Sequence, residues 1–281
     1  MILIEDCFKE LEEIISGKIE EQKVRQEKAN KLFIEAFGLG DLLDPTPSEK
    51  DIGIRRPDLR TEITHLLSYA VGCILGRYSP DFDGLAFAGG EWKEDRYKTF
   101  QPVKNNLVIV GARNKGLPDD LSSRVSDFIK AVFGESTHSE NMKFIAKALS
   151  TGGTSHGSPL KVLDNYFIKD FYKEHLRAYY SGRPIYFPVS SGKSKAFFAY
   201  TYYHRIDINT IKYIKACSEK LTNALENKGD KAENKNLIEL YSFAERIESI
   251  IEQGLRIDFD EGIMYNYNKL KGLLISSDRQ F

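Results

Sequence analysis

Residues 183–206 read RPIYFPVSSGKSKAFFAYTYYHRI. Ile185, Tyr186, Phe187 and Val189 are residue types that suit a pleated, half-buried surface. Ser190 to Lys195 is turn chemistry: Gly192 is free to take a positive φ, and the serines can bond the local backbone. From Ala196 to Tyr203 the aromatics alternate, with Phe197 and Tyr203 on one side and Phe198, Tyr200 and Tyr202 on the other. The stretch therefore predicts a β-hairpin with cations at its turn and its exit. Two roles fit it: an aromatic and basic surface for a polyanion, or a buried hairpin whose turn is solvated.

Outward from the hairpin, helical periodicity dominates. Ile4, Cys7, Phe8, Leu11, Ile14 and Ile15 form one stripe, and Leu32, Phe33, Ala36 and Phe37 form another before Gly38. The charged middle between them predicts a long helix, or two in line, that docks at its ends. Residues 40–57 read as a turn-rich linker. Pro57 suits the first position of a buried helix running to Arg77, where Gly72 and Gly76 would admit another backbone. Residues 85–89 and 107–110 are strand candidates flanking a loop with Trp92. Further helices are expected near 119–133, 139–149 and 159–180, the last opened by Ser158 and Pro159. Ile211 to Leu225 and Leu237 to Ile251 predict an antiparallel helical hairpin. Residues 256–267 predict a turn into an edge strand. The fold class is α+β, predominantly helical with a small antiparallel sheet or β-hairpin. It divides into a helical connector (1–45), a mixed α/β recognition domain (46–206) and a helical hairpin with a terminal strand (207–281).

A chain of 281 residues with 41% hydrophobic and 29% charged content can bury a substantial core. No apolar run reaches the roughly 18 residues of a membrane span, and the N-terminus lacks a basic, apolar leader pattern. Three cysteines far apart in apolar helical patterns predict reduced thiols in a cytoplasmic protein. A net charge of −1 argues against a uniformly basic nucleic-acid binder. The distribution is uneven: residues 1–49 hold 12 acids and 6 bases, while residues 161–205 hold 8 bases and 3 acids. The second window also carries 13 of the 33 aromatics, so a phosphate partner would meet the chain there.

Catalytic chemistry finds little support. Gly38 to Asp41 follows a helix, not a strand, so it reads as a helix terminus and not a nucleotide loop. No Asn/Asp-Pro-Pro-aromatic element is present, and the five histidines are scattered. No catalytic, cofactor or metal site is expected, except for one alternative. Asp81, Glu91 and Lys93 could hold Mg²⁺ and position water in a minimal nuclease. The candidate DNA contacts are Lys193 and Lys195 at the turn, Arg183 at the hairpin entrance, His204 and Arg205 at its exit, and Arg77 at the helix end. All but Arg205 have a structural alternative: solubility for the lysines, an ion pair for Arg183, a core hydrogen bond for His204, and helix carbonyls for Arg77.

Three blocks carry a family resemblance. LSYAVGCILGRY (67–78) resembles a signature of the PglX-type adenine-specific DNA methyltransferases of phage growth limitation and bacteriophage exclusion (BREX) systems. RPIYF (183–187) with SGK (191–193) and YHR (203–205) is similar to a second signature, and RIDFDEG (256–262) with Asn266 and Tyr267 to a third. NKLFIEAFGL (30–39), DFIKAVFG (127–134) and FIKDF (167–171) agree in order. Phe187 and Ile206 depart from it, standing where members often carry Trp and Tyr. The resemblance implies the family's C-terminal target-recognition region, which grips double-stranded DNA. It places S-adenosylmethionine and the catalytic element upstream, in the methyltransferase domain. The partners implied are DNA, that domain and other defence-complex subunits. A protein-interaction module of the complex is the alternative, resting on the acidic first helix and the helical hairpin.

Overall fold

The computed structural model describes residues 2–150, 157–179, 184–227, 234–258 and 261–274. Its centre is the hairpin. Strand β2 (Tyr186–Ser190) pairs antiparallel with β3 (Phe198–Tyr202), in a register that sets Tyr186 against Tyr202 and Ser190 against Phe198. The two-residue β1 (Val108–Ile109) lies on the other side of β3, giving the order β1-β3-β2. β1 is short because Asn106, at φ 52°, turns the chain away. Its side-chain amide then takes over both backbone partners at Tyr202.

Both faces of this sheet are covered. Tyr186, Phe198, Tyr200 and Tyr202 enter one core, and Phe187, Val189, Phe197 and Ala199 enter the other. The alternation of the aromatics is as the sequence reading has it, but the expected half-buried surface is fully buried on each side. Burying each such aromatic contributes about 2 kcal/mol.

The first core is built by α2 (Leu59–Leu75), α3 (Leu121–Phe133), α4 (His138–Leu149), α5 (Pro159–Lys169) and α6 (Phe171–Ala178). Helix α2 starts two residues later than predicted. Asp58, not the residue before Pro57, caps it by accepting from Thr61 N. The helix expected over 159–180 breaks at Asp170 into two, although Ser158 and Pro159 open α5 as read. Gly72 and Gly76 admit side chains and not a backbone. A Cβ at Gly72 would stand 2.6 Å from Tyr186 Oη, and one at Gly76 would stand 2.6 Å from the Trp92 ring.

The second core lies under α7 (Ile208–Glu226) and α8 (Asn234–Glu252), the predicted antiparallel pair. The terminal edge strand is a correction: residues Ile263–Lys269 form helix α9. The chain meets the sheet only after it, where Ser190 N bonds Leu273 O and Leu274 bridges Val189. The strand expected over 85–89 is likewise irregular, its path set by hydrogen bonds from Ala86 N and Phe87 N to Arg77 O.

Helix α1 (Ile4–Ala36) is one 33-residue element. Its start is fixed by Asn141, which accepts from Ile4 N at 2.9 Å and donates to Ile2 O at 3.1 Å. Residues 44–57 run back beside it, tied by Asn30 to Pro45 O and by Arg56 to Ser16. Its far end leaves Phe33 and Phe37 about seven-tenths exposed.

The hairpin turn is clasped from above. Glu239 of α8 accepts from Ser194 N at 3.0 Å and Ser194 Oγ at 2.6 Å. Gly192 makes room for that carboxylate, since a Cβ there would stand 2.7 Å from Glu239 Oε2. We expect Gly192→Ala to lower stability by about 1–2 kcal/mol, measured by urea unfolding. Wild-type stability would show that Glu239 swings aside freely.

Candidate nucleic-acid interface

The cations and the histidine singled out in the sequence do not form one surface. Lys193 is exposed at the tip of the turn. Lys195, two residues on and at φ 53°, folds inward. Its Nζ donates to Ile168 O at 2.7 Å and sits 4.6 Å from the Phe198 ring. Burial pushes its pKa down, and neighbouring Lys173 adds to this. Lys195 thus caps the carbonyl end of α5 and joins it to the turn. Arg183 lies outside the described residues.

Arg205 takes the role that the sequence reading gave to Arg77. Helix α2 ends in a Schellman turn, with Gly76 at φ 83° and Arg77 N bonded to Gly72 O. The free carbonyl of Leu75 accepts from Arg205 at 2.7 Å, and the same guanidinium bonds Val103 O and Lys104 O. It lies 4.4 Å from the Trp92 ring centre. Its neighbour His204 is half-buried, with its ring 5.3 Å from Tyr202 and 5.1 Å from Tyr203. Burial and the charge of Arg77 both hold its pKa below the usual histidine value.

Arg77 itself turns into a tyrosine cage. Its Cζ lies 5.1 Å from the ring centre of Tyr78, 5.9 Å from that of Tyr179 and 5.8 Å from that of Tyr202. Burial works against its charge, but bonding to the tyrosine oxygens outweighs it and leaves the guanidinium firmly protonated.

The basic residues that do share a surface are others. Phe171 and His175 point inward from α6, so Lys173 and Arg177, each two positions on, point out. Both are exposed, as is Lys169 at the end of α5. The acids of the same segment turn elsewhere: Glu174 and Asp170 face Arg60 of α2 at 3.3 and 4.0 Å. Lys173 adjoins Lys195, which brings this row to the turn carrying Lys193. The signal was available in the spacing of 169, 173 and 177, four apart on a basic window. Beside Arg177 opens a cavity of about 480 Å³, whose wall includes Arg55, Arg60 and His175.

No family model matches the chain. It is 32% identical over 290 residues to the adenine-specific methyltransferase PglX of Lacticaseibacillus casei (strain Zhang), an alignment covering 95% of this chain and 24% of that protein. It is 33% identical over 244 residues to the adenine-specific methyltransferase BrxX of Escherichia coli O9:H4 (strain HS), covering 75% of this chain and 20% of the relative. The chain is homologous to part of the PglX and BrxX adenine-specific methyltransferases. It spans about a quarter or less of the length of these curated relatives.

Among the described residues of this PglX-like segment, β1, β2 and β3 pair antiparallel, and β1 leads through Gly111 into a short 3-10 turn and not directly into a helix. The nuclease alternative loses its first ligand. Asp81 accepts from Lys98 N and Thr99 N, each at 2.7 Å, and from Thr99 Oγ1 at 2.5 Å, so its carboxylate fixes the 79–99 loop. Those bonds hold its pKa below the usual carboxylate value. Among the described residues no three His, Cys, Asp or Glu side chains come together as metal ligands. No helix among them is long and apolar enough to cross a membrane.

Proposed function

We propose that this chain is the DNA-recognition part of a site-specific adenine-N6 DNA methyltransferase acting in phage defence. The observation that carries this reading is the row Lys169, Lys173 and Arg177 beside Lys193, exposed cations set on a segment homologous to adenine-specific methyltransferases. Phosphate contacts from this row supply affinity and register on the duplex, while polar side chains at its edge read bases. S-adenosylmethionine and the catalytic groups belong to the remaining portion of the enzyme, and a flipped adenine enters that portion. The protein works in the cytoplasm, where the genome it modifies lies.

The test is a salt titration of duplex binding by the assembled methyltransferase. Replacing Lys169, Lys173, Arg177 and Lys193 by Ala should flatten the plot of log affinity against log salt by about 0.9 for each phosphate no longer neutralised. An unchanged slope would remove this surface from the interface. A second reading, a docking module for partner subunits, is favoured by the exposed Phe33, Phe37, Leu42 and Leu43 at the far end of α1. It gains ground if the quadruple variant keeps its slope.

A further inference from the structure

Most buried tyrosines of this fold have their hydroxyls satisfied. Tyr97 donates to Gly76 O at 2.6 Å, Tyr200 to Phe167 O at 2.7 Å and Tyr202 to Phe87 O at 2.8 Å. Tyr186 is an exception: its side chain is fully buried and its hydroxyl has no hydrogen-bond partner among the described residues. The hydroxyl rests against Gly72, the position where any Cβ would collide with it, so this space is built into the helix. Leaving such a group unpaired costs the fold its full desolvation penalty.

Two more unpaired polar atoms belong to side chains packed in the same aromatic cluster. The His175 ring is 4.9 Å from that of Tyr186 and 4.6 Å from that of Tyr179. His175 Nε2 accepts the backbone N–H groups of Ile185 at 3.0 Å and Tyr186 at 3.3 Å. Both partners are donors, so Nε2 carries the lone pair and Nδ1 carries the hydrogen. Nδ1 is buried and has no acceptor among the described residues. The third atom is Nε of Arg77, whose guanidinium lies against Tyr179 and Tyr202, the rings that flank His175 and Tyr186. Arg77 is charged, and the groups that act most strongly on its charge are tyrosines and not carboxylates.

Three donors without an acceptor among the described residues, one of them on a cation held by tyrosines and not by a carboxylate, can take an acceptor from outside. Unpaired buried donors are costly, and a bound anion removes that cost. The geometry points to an oxyanion site formed by Arg77 Nε, His175 Nδ1 and Tyr186 Oη, which takes a phosphate-type oxygen. Tyr78 and Tyr179 in this cluster are only half-buried, and the cavity beside Arg177 includes His175 in its wall. The largely aromatic walls favour a phosphate ester with one negative charge over a fully hydrated dianion, which would lose more hydration on entering. This site stands apart from the exposed lysine row and does not depend on it.

The probes are dimethyl phosphate and inorganic phosphate, compared with chloride at matched ionic strength, and the readout is thermal stabilisation of the chain. Dimethyl phosphate should raise the unfolding temperature of the wild type. Tyr186→Phe, which keeps the ring and removes one donor, should weaken the apparent affinity about tenfold. Arg77→Met, which keeps much of the packing, should abolish the effect. Duplex binding by the assembled methyltransferase then separates the sources. If Arg77→Met also lowers duplex affinity, the oxyanion is a backbone phosphodiester; if duplex affinity holds while phosphate stabilisation disappears, it is a free phosphate compound. The proposal fails if phosphate stabilises no better than chloride. It fails equally if Arg77→Met responds like the wild type, or if a structure in phosphate shows only a water among the three donors.

Discussion

Arg205→Ala should destabilise this protein by about 3–5 kcal/mol. The guanidinium donates to the carbonyls of Leu75, Val103 and Lys104, which belong to the end of α2 and to the segment entering β1. Removing it strands those oxygens and leaves the Trp92 face, stacked on Tyr97 at 4.7 Å, without its cation. Charge-assisted bonds of this kind contribute about 1.5–3 kcal/mol each, and the effects of removing them are not additive. Arg205→Lys should recover part of the stability, because an ammonium reaches one or two of the carbonyls but cannot span all three. Urea unfolding of the two variants gives the comparison. An alanine variant as stable as the wild type would mean that the three carbonyls find water, and Arg205 would return to the candidates for DNA contact.

That exchange of roles between Arg205 and Arg77 shows where sequence reading reaches its limit. The end of α2 near Arg77 was legible, but Gly76, read as a packing position, is its left-handed cap. Which arginine serves the freed carbonyls was not legible, because Arg205 arrives from the 3-10 turn after β3, 130 residues away. The hairpin itself was legible from its alternating aromatics. Burial of both its faces was not, since it depends on α7 and α8 folding back over the second face. Local pattern also misjudged the C-terminal segment. Residues 256–267 offer short alternating apolar positions, yet α9 forms there, held by Asn266, whose side chain donates to Tyr203 Oη and accepts from Asp258 N. The basic row was half legible. Its charge excess stood out, but only the fold shows that Asp170 and Glu174 turn toward Arg60 and leave Lys173 and Arg177 outward.

Acidification should destabilise the protein through His175 well before its carboxylates titrate. The ring is 3% exposed, packed against Phe171, Tyr179 and Tyr186, and close enough to Arg77 to feel its charge. Burial first, and Arg77 second, lower its pKa from 6.5 to about 3. In the unfolded chain the imidazole binds a proton near its ordinary value, whereas the folded chain refuses it until the pH is far lower. The unfolded state therefore binds more protons in that window, so stability is full above about pH 6.5 and falls as the pH drops. The slope is about 1.4 kcal/mol per pH unit, which gives roughly 2 kcal/mol between pH 6.5 and 5. His204 shifts in the same direction and adds to the fall. Asp120, held low despite burial by its bonds to Ser123 and Arg113, weakens the fold only at more acid pH. His175→Gln should be the less stable protein at pH 7.5 but the flatter in its pH dependence, since its amide oxygen can still accept from Ile185 N and Tyr186 N. Urea unfolding at pH 7.5, 6 and 5 measures both slopes. Parallel slopes for wild type and variant would show that the buried ring takes up its proton without unfolding, with the cage around Arg77 opening to let it do so.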